Sequence, residues 1–115
     1  LKPEAKVKRT ITSYLKNMGA YYFYPITGGY GASGVPDIVA CYQGKFIGIE
    51  CKAGNNKPTP LQEKNLRDIK KTDGLALVVN EENMHTVVDE IIKFTARVDV
   101  EGKEIDMDNI YKMMQ

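Results

Sequence analysis

The chain has 115 residues, enough for one compact domain and too few for two. Its 43% hydrophobic and 27% charged content is ordinary for a soluble globular protein, and no apolar run approaches the roughly 20 residues of a membrane span. Sixteen Lys and Arg against fifteen Asp and Glu leave a formal charge of +1, which neither argues for nor excludes nucleic acid; only a local basic patch could.

Pro3 to Met18 reads as an amphipathic helix, with Val7, Ile11, Tyr14, Leu15 and Met18 on one stripe and Gly19 as its stop. Lys2, Lys6, Lys8, Arg9 and Lys16 decorate the other faces. A solvated face is the default explanation for these charges; a phosphate-contacting surface, with Lys6 and Arg9 as candidates, is the sharper one. Glu4 suits the positive end of the helix dipole. Ala20 to Tyr24 is a tyrosine-rich strand ended by Pro25. The glycine-rich stretch Ile26 to Val35 lacks a Walker Lys-Ser/Thr ending and precedes a strand, so no nucleotide cofactor is expected. A loop beside the site is the simple reading; close approach to a phosphate backbone, with Tyr30 stacking on a base and Ser33 nearby, is the functional alternative.

Pro36 introduces a strand over Ile38 to Tyr42, and Lys45 to Cys51 forms the next, with Gln43-Gly44 as a two-residue hairpin turn. In that register Tyr42 faces Lys45 and Asp37 faces Glu50, with Lys52 on the same face because strand side chains alternate. Opposed carboxylates are costly unless a divalent cation lies between them, and Mg²⁺ is typically held by one or two carboxylates plus water and phosphate. The hairpin therefore reads as a metal site, with Glu4 as a further acid able to reach it. Cys41 and Cys51 fall on opposite hairpin faces, so they are expected as free, buried-type thiols in a reducing, cytoplasmic setting.

Ala53 to Pro58 is a polar loop carrying Lys57. Thr59-Pro60-Leu61-Gln62 then forms a capping box that opens a helix to Lys71, with Gly74 ending it. Gln62 has that structural job whether or not it also faces the acids. Leu75 to Val79 reads as a strand buried on both faces, running parallel to one already in the sheet. Asn80 to Asn83 caps a second amphipathic helix marked by Met84, Val87, Val88, Ile91, Ile92 and Thr95. His85, without a partner at ligand spacing, is expected at the surface or in helix packing. The tail, 98–115, offers a turn and then a helix with Met107, Ile110, Tyr111, Met113 and Met114, either core or packed against a second subunit.

The order α-β-β-β-α-β-α, with Pro36-Asp37, twelve intervening residues and Glu50-Cys51-Lys52, resembles the PD-(D/E)XK nuclease fold: a restriction-endonuclease-like α/β core in which helices flank a mixed sheet. More closely it is similar to the VRR-NUC branch in its small stand-alone phage and bacterial form. The likeness spans roughly Glu4 to Phe94 of a single domain over 1–115.

The resemblance implies that Asp37, Glu50 and the Cys51 backbone carbonyl bind Mg²⁺ or Mn²⁺, with Glu4 able to hold a second ion. Lys52 would orient or activate water, and Gln62 would line the site. Lys6, Arg9, Tyr30, Ser33 and Lys57 are the candidate DNA contacts. The expected function is a structure-selective endonuclease, a Holliday-junction resolvase acting on branched DNA as a homodimer. Flap or splayed-arm cleavage, or a non-catalytic DNA-binding module on the same fold, is the alternative.

Overall fold

The computed structural model describes residues 1–26 and 33–96, with Lys112. Among them, α1 (Pro3–Met18) is followed by β1 (Tyr21–Phe23), β2 (Ile38–Tyr42), β3 (Lys45–Cys51), α2 (Pro60–Lys71), β4 (Leu75–Val79) and α3 (Val87–Thr95). A short 3₁₀ turn, Met84–Thr86, leads into α3, so the helix expected from Met84 onward is tightened at its start. The expected tail elements, 98–111 and 113–115, and Tyr30 lie outside the described residues. No helix of the described residues is long and apolar enough to cross a membrane.

The hairpin sets the geometry. Gln43 and Gly44 have φ values of 53° and 75°, the two positive angles a type I′ turn requires. They fix Tyr42 against Lys45 and carry the ladder through to Ile38 against Ile49. The expected register therefore holds, but the ladder stops one residue before Asp37. β1 joins β2 antiparallel and β4 joins β3 parallel, giving a sheet ordered β1-β2-β3-β4.

One sheet face carries Ile38, Ala40 and Tyr42 of β2 and Ile47, Ile49 and Cys51 of β3, all buried. α1 supplies Val7, Ile11, Leu15 and Met18 to the same core, and α3 supplies Val87, Ile91 and Ile92. Each such side chain removed from water contributes about 1.5–3 kcal/mol, so this stripe, more than helix propensity, keeps α1 in place.

The opposite face is covered by α2 over β3. The approach is close because of Gly48: a Cβ there would lie 2.6 Å from Ile69 Cδ1 and 2.9 Å from Pro36 Cγ. On the same face Tyr21, Phe23 and Phe46 stay exposed. β3 is thus packed on both faces and both edges, and its last five residues are all buried.

Two expectations are corrected. β4 is an edge strand among the described residues, and its Val78 remains 38% exposed, because α2 shields only part of its outer face. Helix α2 is ended by Asp73, not Gly74. Asp73 takes the left-handed conformation at φ 64°, while the N–H groups of Asp73 and Gly74 donate to the carbonyls of Lys70 and Ile69. Gly74 serves packing instead, since a Cβ would meet Ile69 Cγ2 at 2.8 Å.

Candidate metal centre and active site

The end of β3 brings Glu50 into the interior. Its neighbours on the strand are Ile49 and Cys51, both fully buried, and alternation turns Glu50 toward α2. Only 1% of Glu50 is exposed, and its Oε2 has no hydrogen-bond partner among the described residues. A buried carboxylate oxygen left unpaired costs several kcal/mol unless a proton or a cation satisfies it.

Two further carboxylates stand beside it. Glu4, from the first turn of α1, and Asp37, from the bend before β2, each place an oxygen so that all three acids lie within 4.8 Å of one another. Because Asp37 sits beyond the ladder, its Oδ2 accepts the backbone N–H of Cys51 at 2.8 Å. That bond ties the acid directly to the end of β3.

Glu50 is pushed up to about 8 from an ordinary 4.5. Burial is the largest cause, followed by the adjacent Asp37 carboxylate, which favours a proton on the pair; Lys52 pulls the other way. Lys52 Nζ is 3.9 Å from Glu50 Oε1, on the face the alternation requires. Gln62 performs two tasks at once. Its Oε1 accepts the Thr59 N–H at 2.9 Å to close the capping box, and its Nε2 donates to Glu50 Oε1 at 3.2 Å. The capping geometry therefore aims the amide at the acid.

The donor set fits a hard divalent cation: three carboxylates, one of them buried with an orphaned oxygen, and no sulfur or imidazole among them. Cys51 is buried with its thiol pushed up to about 12 by burial and by the Asp37 and Glu50 charges, so it stays protonated and inert. Both cysteines are free, but Cys41, expected to be buried like Cys51, is exposed, because it stands beside the exposed Tyr21 and Phe46 on the sheet face opposite the core. His85 is exposed.

The outlying candidates are scattered. Lys6 and Arg9 are exposed on α1; Arg9 lines a shallow surface pocket with Lys8 and Tyr24. Lys8 itself is engaged, its ammonium 4.3 Å from the Tyr24 ring centre, while the Tyr24 hydroxyl and Thr12 Oγ1 share a hydrogen bond of 2.7 Å. Ser33 is exposed and its carbonyl accepts from Asn65 Nδ2, so it acts as a loop anchor to α2. Lys57 is exposed between β3 and α2.

One arrangement gave no sequence signal. The loop after Lys52 is clasped by the turn after β4: Gly54 N–H donates to Glu81 Oε2 at 2.9 Å, Asn80 Nδ2 reaches the Gly54 carbonyl at 3.4 Å, and Lys52 N–H donates to the Val79 carbonyl.

Residues 4–72, the span from Glu4 through Asp37, Glu50, Lys52 and Gln62, match the family model described as archaeal Holliday junction resolvase (Hjc). The chain belongs to this family. Hjc-type membership makes it a nuclease of the Holliday-junction resolvase type. A solved structure described as a VRR_NUC domain protein superposes with a TM-score of 0.59 at 19% identity, covering 91% of this chain and 93% of that one. This likeness shows the shared fold, and with the mixed sheet and flanking helices it gives the Hjc-family chain a VRR-NUC, PD-(D/E)XK-like architecture. No curated protein sequence matches it.

Proposed function

We propose that this chain is a metal-dependent, structure-selective DNA endonuclease that resolves four-way junctions as a homodimer. The observation carrying the metal reading is Glu50, a carboxylate with 1% exposure and an orphaned oxygen, set among two other acids in a nuclease fold. Asp37, Glu50 and the Cys51 backbone carbonyl would hold Mg²⁺ or Mn²⁺, and Glu4 supplies a further carboxylate. When bound, such an ion supplies Lewis-acid stabilisation of the phosphoryl oxygens and makes water acidic enough to be deprotonated near neutral pH.

The chain's own groups do the rest. Hydrolysis needs water to attack phosphorus, one P–O bond to break, and the departing alkoxide to gain a proton. The Lys52 ammonium, held near Glu50, is placed to orient the attacking water and steady negative charge on the scissile phosphate. Gln62 Nε2 fixes the rotamer of Glu50, and the Cys51 N–H fixes Asp37, so the acids are oriented before substrate arrives. A four-way junction has approximate two-fold symmetry and needs paired cuts, which a C₂ dimer with two such sites matches geometrically.

The test compares four-way junction, flap and linear duplex DNA under equal Mn²⁺. The junction is expected to be nicked fastest. Glu50→Ala and Lys52→Ala are each expected to lower cleavage by at least roughly 100-fold while keeping the wild-type circular dichroism spectrum. Junction binding without nicking would reject the nuclease assignment, and an active Lys52→Ala protein would remove that residue's role.

A further inference from the structure

We infer that the open groove between α2 and β4, walled by Lys57, Arg67 and Lys70, is the track for the phosphate backbone of the DNA next to the cut. The inference rests on the nuclease reading and names the surface through which that site takes its substrate.

Three observations carry it. The first is continuity with the carboxylates. Val78, which lines the groove, is the β4 ladder partner of Glu50, so groove and acid share adjacent strands and one sheet face. Leu66, also in the groove, lies one helical turn beyond Gln62, the residue bonded to Glu50.

The second is charge. Among the described residues the groove carries Lys57, Arg67 and Lys70 against one acid, Glu63, a local excess of two positive charges in a chain whose whole formal charge is +1. None of the three cations forms an ion pair among the described residues, whereas Lys64, on the same helix, is neutralised by Asp68 at 2.9 Å. Unpaired cations in a concave wall concentrate positive potential, which is what a polyanion recognises. Lys70 also suits the C-terminal end of the α2 dipole, but Arg67 and Lys57 lie outside that last turn and have no such explanation.

The third is the contrast with α1. There Lys8 is occupied by the Tyr24 ring, which leaves Arg9 as the other cationic side chain lining that pocket among the described residues. The pocket on α1 is thus the poorer concave backbone site, although Lys6 and Arg9 stand on that helix.

The experiment measures binding of a labelled four-way junction by fluorescence anisotropy in EDTA, across a salt series, for full-length wild type, Arg67→Ala/Lys70→Ala, Lys57→Ala, Lys6→Ala/Arg9→Ala, and Lys16→Ala as a charge-removal control. Each lost phosphate contact lowers the slope of log affinity against log salt by about 1. The groove double variant is therefore expected to lose about 2 from that slope and to bind about tenfold or more weakly, and Lys57→Ala about 1. Lys16→Ala should stay close to wild type.

Groove variants shifted no more than Lys16→Ala would overturn the proposal. So would the full slope loss appearing in Lys6→Ala/Arg9→Ala instead. Thermal melts exclude misfolding as the cause. Cleavage in Mn²⁺ separates this proposal from the one beneath it: a wild-type protein that binds through the groove but never cuts sinks the nuclease reading and leaves the track standing. One that cuts with groove-independent affinity does the reverse.

Discussion

Glu50 concentrates the energetics of the site. Burial and the adjacent Asp37 carboxylate push its carboxyl up to about 8 in the folded chain from an ordinary 4.5, and the sign of the consequence follows directly. Below about 4.5 both folded and unfolded forms hold the proton and the residue is neutral for stability. Between those values the unfolded chain releases the proton while the folded one keeps it, so metal-free stability falls as pH rises, and the loss levels off above about 8. The melting temperature of metal-free protein is therefore expected to drop between pH 5 and 8 by an amount corresponding to a few kcal/mol. Glu50→Gln should flatten that slope, and Mn²⁺ should restore stability most at the alkaline end. A metal-free melt independent of pH would show that Glu50 is not the strained group. Asp37 and Lys52 follow from Glu50: one is positioned by the Cys51 amide, the other by strand alternation.

At the scale of elements, α2 links its own cap to the acid cluster through one side chain. The capping box was legible from Thr59-Pro60-Leu61-Gln62, since its bonds span three residues and need no tertiary partner. That Gln62 also reaches Glu50 depends on α2 sitting close over β3, which Gly48 permits and no local rule encodes. Thr59→Ala removes the cap and should cost about 1 kcal/mol of stability with little change in metal affinity. Gln62→Ala loses both roles, and apparent Mn²⁺ affinity should fall about 10- to 100-fold, measured by calorimetric titration. Equal metal affinity in the two variants would reduce Gln62 to a cap. The clasp of Gly54 by Asn80 and Glu81 belongs at this scale too. It joins residues far apart in sequence through exposed polar side chains, the class of contact that pattern reading does not register.

For the whole molecule, a junction-resolving enzyme needs two cuts in register, and each chain supplies one cluster of acids among the described residues. A dimer of twice 12.9 kDa is expected by sedimentation in the presence of junction DNA, with the two nicks appearing within one binding event. A particle that remains monomeric on the junction, with uncoupled nicks, would remove the dimer from the proposal while leaving the chemistry of the single site untouched.

The amino-acid sequence by itself pointed to the hairpin register, because Gln43-Gly44 between two apolar runs suits a two-residue turn and strand alternation then places every following side chain. It likewise determined the bounds of α1 and α2, through an apolar stripe with its stop and a capping box. Those are short-range rules acting on neighbours in the chain. Only the tertiary structure decided that Asp37 lies beyond the ladder on a backbone amide, that β4 is an edge among the described residues, and that a basic groove opens beside the acids. It also brought Glu4, which the sequence had offered, within 4.8 Å of the other two. Each of these depends on how closely separate elements approach, and that distance is set by side-chain volume across the core and by the absence of a Cβ at Gly48.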